Sequence, residues 1–245
     1  MSITTAPSES IPKVPLNKYG YNTMARNLFM AVITCVSLFL AAGTWSWSWA
    51  WVYSAVFALG WAVLSVVVAR ENPELMNERG KRTKDMTVGT KRWDLILLSL
   101  YSLLLFVTPL TAGLDYRNGW SAESSPVIKV IGLALLAIGF IPLTWAMAAN
   151  RFFEPTVRIQ TQRGHQVADR GPYRFVRHPG YLGLVLHFLS LPIALGMWAA
   201  LIPALVGVAV YVIRTALEDR TLQEELPGYA EFAQRTRYRL LPGIW

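Results

Sequence analysis

Cysteine is almost absent from this chain: Cys35 stands alone, inside an apolar stretch. No disulfide can form within the chain, and no cysteine-rich metal site or dithiol centre can be built. Histidine is nearly as scarce. His165, His178 and His187 lack the i, i+4 spacing of a helical zinc site, so no metal site is expected. Charge is scarce too, at 16% of residues against 53% apolar, a mixture that cannot cover an ordinary water-facing surface. There is no Gly-x-Gly-x-x-Gly after a strand and no Walker loop. No internal repeat or low-complexity tract is found. The first residues, Met1 to Tyr21, lack the basic-then-apolar order of a cleaved signal peptide, so a loose tail is expected over residues 1–25, with the first span as an uncleaved anchor.

What is present is a set of charge-free windows. Asn27 to Ala69 holds two passes and a turn, Leu95 to Leu114 and Val130 to Asn150 one pass each, and His178 to Ile213 two short or tilted passes. The expectation is an all-α integral membrane protein of about six transmembrane helices, with a polar loop and an amphipathic C-terminal helix on the cytoplasmic side. Such spans leave no room for a parallel sheet, so a soluble-type nucleotide fold is excluded. The organisation reads as a four-helix scaffold over 26–149 and a functional core over 150–245.

The net charge of +8 raises nucleic acid as a partner, but the distribution argues otherwise. Basic residues fall in the N-terminal tail (Lys13, Lys18, Arg26), in Arg70 to Arg92, in Arg151 to Arg177 and in the C-terminal tail; only Arg117 and Lys129 lie on the other side. This positive-inside pattern places both termini in the cytoplasm and makes the basic balance topological, with some attraction for anionic headgroups. The membrane is the plasma membrane in a bacterium and the endoplasmic reticulum in a eukaryote. Trp45, Trp47, Trp49 and Trp51 read as an interfacial aromatic belt rather than a ligand platform. Arg70 to Arg92 reads as a loop with one short interfacial helix. Pro109, Pro142, Pro192 and Pro203 are expected to kink their spans.

Chemistry concentrates from Asn150 onward. Between the polar loop and the last two spans runs Gly171-Pro-Tyr-Arg-Phe-Val-Arg-His-Pro-Gly-Tyr-Leu-Gly183. Gly171-Pro172 forces a turn and Pro179 suits a first helical position after His178. The helix that starts there points its positive end at the cytoplasmic face, a seat for carboxylate or phosphate. Tyr173 and Tyr181 flank the turn and suit a planar ring; Gly180 and Gly183 permit close approach. Any one of these residues is explained by interfacial anchoring; their clustering in thirteen residues points to a site. Arg214 and Glu218 share a helix face, either as a simple ion pair or as opposed charges in a partly dry pocket. His187 sits inside a span with no role assigned beyond packing or hydrogen bonding.

His165-x-Val167-x-x-x-Gly171-x-Tyr173-x-x-x-Arg177-His178-Pro179-x-Tyr181-x-Gly183 resembles the signature of the isoprenylcysteine carboxyl methyltransferase family, which embraces bacterial relatives and phospholipid N-methyltransferases. Arg214-x-x-x-Glu218-Asp219-x-x-Leu222, then Gly228-Tyr229, Arg235, Arg237 and Pro242, carries the resemblance to the C-terminus. It implies an S-adenosylmethionine-dependent membrane methyltransferase. Cofactor contacts would come from Gln160, His165, Gln166, Val167, Ala168, Tyr173, His178, Pro179, Gly180, Tyr181 and Glu218. Arg214 would hold the substrate, with Arg214 and Glu218 as catalytic residues. The acceptor implied is a lipophilic or lipidated molecule from the bilayer, an isoprenylcysteine-like carboxylate first, a phospholipid amine or small thiol next. One departure is Asp219, where the family usually has a second glutamate. Sterol-type reductases using NADPH, and a non-catalytic membrane scaffold, are the readings from other classes.

Overall fold

The computed structural model describes residues 14–81 and 89–245; Lys13, most of the expected tail and part of the Arg70 to Arg92 loop lie outside the described residues. Helix α1 spans Lys18–Ala42, α2 Ser48–Glu71, α3 Pro73–Gly80, α4 Arg92–Asn118, α5 Pro126–Ala149, α6 Pro179–Leu195, α7 Leu201–Glu225 and α8 Tyr229–Arg235. Among the described residues there is no strand. The protein is an all-α integral membrane protein. Five of its helices (α1, α2, α4, α5, α7) are long and apolar enough to span a bilayer, whereas α6 is shorter. At 1.5 Å per residue, the 17 residues of α6 reach about 26 Å, less than a hydrocarbon core of roughly 30 Å. The six expected spans are thus five full ones and a short one.

Local chemistry sets the ends. Asn17 caps α1 by accepting from the Tyr19 N–H, and Gly43 closes it in the left-handed conformation. Pro73 begins α3, the short helix expected in the Arg70 to Arg92 stretch, where its missing N–H costs nothing; Asn72 caps that helix and also donates to the Met147 carbonyl of α5. Pro109, Pro142 and Pro192 lie inside helices as expected. Pro203 does not: it occupies the first turn of α7 and breaks no interior hydrogen bond.

The bundle is packed around α5 and α6, its most closely apposed pair. Apolar driving force is weak between helices in lipid, so small residues decide where backbones can meet. Gly139 and Gly183 face each other: a Cβ on Gly183 would stand 2.5 Å from the Gly139 carbonyl oxygen, and one on Gly132 would stand 2.1 Å from the Ala194 backbone nitrogen. Outward positions such as Leu40, Leu59, Ile96, Ile141 and Ile202 are exposed, as a lipid-facing surface requires. The Trp45 to Trp51 run divides its work. Trp47 is buried and stacks on Tyr116 of α4 with ring centroids 4.0 Å apart, while Trp45 and Trp51 stay exposed beside Phe39.

At one end of the bundle, Asp115 accepts from the Ser121 and Ala199 N–H groups and so ties α4 to the α6–α7 turn. At the other end lie α3, the 150–178 loop, the end of α7 and α8. Gly183→Ala is expected to destabilise the protein by about 1–3 kcal/mol through overpacking against the α5 backbone, read as a lower unfolding temperature in detergent.

Candidate functional site

The 150–178 loop has no regular structure beyond two short 3-10 turns, Thr161–Arg163 and Gly171–Arg174, so side chains must hold its shape. Arg163 is the main tie. It bonds Glu74 of α3 at 2.8 Å, Glu154 at 3.3 Å, the Gln160 side chain at 2.5 Å and the Arg151 carbonyl at 3.0 Å. Glu154 is also paired with Arg158 at 2.9 Å. Gln160 is buried and donates to the Phe152 carbonyl. The Gln160 N–H donates to Nδ1 of His165, so the proton of the neutral ring sits on Nε2. Val157 is held from both sides by the start of α4: its N–H reaches Asp94 at 2.7 Å, and its carbonyl accepts from the Lys91 N–H.

The segment entering α6 is fixed as firmly. Gly171 adopts φ +59, and a Cβ there would meet the Trp145 indole nitrogen at 2.9 Å. Tyr173 is buried, its hydroxyl accepting from Asn150. The Arg177 and His178 N–H groups donate to the Tyr238 and Arg239 carbonyls, clamping the C-terminal segment alongside. Gly180 allows Phe153 against the first turn of α6; a Cβ there would lie 2.6 Å from the Phe153 ring.

These elements surround a cleft. Of the eleven expected cofactor contacts, ten line it: Gln160, His165, Gln166, Val167, Ala168, Tyr173, His178, Gly180, Tyr181 and Glu218. Pro179 does not; it serves as the first residue of α6. Arg214 does not line the cleft either, and of the two readings of Arg214 and Glu218 the simple ion pair does not form. The Arg214 Nε donates to Asp94 of α4 at 2.7 Å, one Nη donates to the Pro155 carbonyl, and the guanidinium covers the Tyr181 ring at 5.2 Å. Both Arg214 and Asp94 are buried. Glu218 accepts instead from the Tyr181 hydroxyl, and among the described residues no cationic side chain lies within ion-pair distance of it.

Sequence reasoning passed over several cleft residues. Phe152, Phe153 and Phe232 join Tyr229, which the resemblance had marked without a role, as aromatic walls, and Asn150, Glu154 and Arg158 supply polar edges. Aromatics at a membrane boundary read as anchors, so nothing marked the phenylalanines. Asp94 was detectable in principle: a carboxylate at the first turn of a span is costly unless paired. Asp219, whose role the motif left open, faces away from the cleft and is fully buried. It accepts from Arg177 at 2.6 and 2.9 Å, Arg239 at 2.9 Å, Gln223 at 2.9 Å and the Tyr229 hydroxyl at 3.1 Å, with His178 Nε2 at 3.4 Å.

Two outcomes follow from this geometry. Asp219→Ala strands the Arg177 cation in a buried setting; a loss of about 3–5 kcal/mol is expected, measured as the drop in unfolding temperature, with Asp219→Asn losing less. Burial first, then the Arg163 and Arg158 charges, pushes His165 down from 6.5 to about 4. Between those two values the unfolded chain binds more protons than the folded one. Stability therefore falls as pH drops through this window, and His165→Gln should flatten that part of an unfolding-temperature-against-pH curve.

Residues 127–227, from α5 to just beyond α7, match the family model of phospholipid methyltransferases. Two rice proteins, from Oryza sativa subsp. indica and subsp. japonica, are each described as a probable protein-S-isoprenylcysteine O-methyltransferase. Each is 33% identical to this chain over 60 residues, which is 24% of this chain and 31% of the relative. The match thus spans about a third of the length of these relatives. Residues 127–227, which include the α6 entry, Glu218 and most of the cleft, are thus similar to the phospholipid methyltransferases, and a shorter stretch is similar to isoprenylcysteine methyltransferases.

Proposed function

We propose that this protein transfers a methyl group from S-adenosylmethionine to a lipophilic acceptor at the cytoplasmic edge of the bilayer, with both termini in the cytoplasm. The carrying observation is the gathering of loop, α6 entry and α7 residues around one cleft at the end of the spans, beside Glu218. The lining fits the cofactor chemically. Tyr173, Phe152 and Tyr229 offer flat apolar surface for a purine, Asn150 and Gln166 offer amide donors and acceptors, and the Glu218 carboxylate suits a cationic ligand.

When bound, S-adenosylmethionine supplies an electrophilic methyl group for in-line displacement. The chain's own part is positioning and exclusion of water, which in favourable cases lowers a barrier by roughly 7–11 kcal/mol. The hydrogen bond from Tyr181 holds Glu218 on the cleft wall. The loop ties through Arg163 and Asp94 keep the far wall in register.

For the acceptor, the Arg214–Asp94 pair favours an amine over a carboxylate. A substrate carboxylate at Arg214 meets a guanidinium already engaged by Asp94 through Nε and by the Pro155 carbonyl through one Nη, whereas Glu218 stands ready to receive the proton of an acceptor ammonium. An isoprenylcysteine-like carboxylate is the second reading, supported by the stretch shared with the rice relatives.

Purified protein is expected to bind S-adenosylhomocysteine saturably by calorimetry, with His178→Ala losing at least about tenfold in affinity, and to show no saturable binding of NADPH. Binding of NADPH alone moves the protein to reductase chemistry; binding of neither leaves a scaffold. Turnover on phosphatidylethanolamine but not on a farnesylated cysteine analogue is the expected acceptor result, and the opposite outcome restores the carboxylate reading.

A further inference from the structure

A second cavity lies at mid-helix positions of the spans. It is walled by Thr34 of α1, Tyr53, Phe57 and Trp61 of α2, residues Tyr101 to Pro109 of α4, and Leu184 to Leu191 of α6; no Asp, Glu, Lys or Arg lines it. Contacting rings separate it from the cleft. Tyr181 lines the cleft, Tyr101 lines the cavity, and Tyr211 packs between them at 5.2 and 5.1 Å.

The polar groups of this cavity are mostly acceptors. Nε2 of His187 is shut off from solvent and meets no hydrogen-bond partner among the described residues; with the Leu136 backbone beside the ring, the proton is assigned to Nδ1 and Nε2 is left as an acceptor. Pro109 removes the N–H that would serve the Leu105 carbonyl, and Pro192 does the same for Phe188; Leu105 and Phe188 both line the cavity. The Thr34 and Thr108 hydroxyls donate to the Met30 and Leu104 carbonyls, which leaves their oxygens as acceptors. Tyr53 and Tyr101 also line it, and Ser190 Oγ beside Tyr53 donates to the His187 carbonyl. The donors among the lining side chains are the Trp61 indole N–H and the Tyr53 and Tyr101 hydroxyls. Around His187 stand Phe140 at 4.3 Å and Phe57 at 6.4 Å, both also in contact with Trp61.

We propose that this cavity is a ligand site separate from the cleft, and that it takes a lipophilic alcohol or phenol whose hydroxyl donates to His187. The aromatic walls accept the apolar body. The hydroxyl supplies the donor that Nε2 lacks and can accept from Trp61. A carboxylate brings a charge with no counter-charge, and an ammonium finds no carboxylate. A water needs two to four polar partners, which these apolar walls do not assemble around His187. Because Nε2 sits within the wall, the imidazole adjusts its side-chain torsion on binding, a change on the ordinary scale for ligand sites.

The chain has three histidines, which makes ¹⁵N-histidine labelling of the detergent-purified protein readable residue by residue. The probes are 4-hexylphenol and 4-hexylanisole, which share an apolar body and differ in the hydroxyl donor. The expected result is about tenfold tighter binding of the phenol, the worth of satisfying one buried acceptor. With it, the Nε2 resonance assigned by its loss in His187→Phe should move, while those of His165 and His178 in the cleft stay in place. Equal affinity of the two probes in the wild-type protein overturns the proposal without any substitution. So does a shift at His165 or His178 in place of His187, or a preference for the phenol that survives in folded His187→Phe. An Nε2 resonance already in the hydrogen-bonded range, and unmoved by the phenol, assigns a water to His187 and overturns it as well.

Discussion

The buried carboxylate of Asp219 is the interaction on which the functional end of the molecule depends. The segment before α6, the C-terminal segment and α8 are too short and too polar to pack by apolar burial alone. One fully buried anion gathers them, accepting from Arg177 before α6, from Arg239 near the C-terminus and from the Tyr229 hydroxyl on α8. Arg177 extends the network by donating to the Thr236 and Arg237 carbonyls, which no helix satisfies. Paired in this way, charges that would be expensive at a membrane boundary order the backbone around His178.

A second buried carboxylate, Asp94, does the same for the opposite wall. Its two oxygens divide between Arg214 on α7 and the Val157 N–H in the loop, so the loop cannot move without disturbing α7. Arg214 in turn covers Tyr181, whose hydroxyl reaches Glu218. The cleft is thus bounded by two buried acid–base clusters, and Glu218 remains at its surface. Positioning of this kind suits a reaction whose barrier is lowered mainly by alignment.

The scaffold was legible wherever a local rule operates. Charge-free windows marked the spans because each unpaired charge in lipid is costly. The turn around Gly171 and the α6 start at Pro179 followed from backbone preference alone. Partnerships set by tertiary packing were not legible. Arg214 has a plausible helical neighbour four residues away, and nothing local indicates that its partner lies 120 residues earlier. The shortness of α6 was legible, because the window from 178 to 213 has room only for two short or tilted passes, and Gly196 in the left-handed conformation ends the first of them. Phe153 against Gly180 became visible only when the loop and α6 were seen together.

The neighbouring acids Glu218 and Asp219 show why the departure from a paired-glutamate motif does not disturb the cleft. Successive residues on a helix point about 100° apart, so the two carboxylates face different surroundings. Glu218 has the longer side chain and reaches the cleft wall and the Tyr181 hydroxyl. Asp219 faces inward, where a shorter side chain holds the carboxylate close to α7 while the long arms of Arg177 and Arg239 come to it. A glutamate at position 219 would push the same charge about one methylene further into a packed interior that already surrounds it with donors, and those donors would have to retreat. The aspartate is therefore matched to the approach of the two arginines, and chemistry in the cleft has only Glu218 of the pair to draw on.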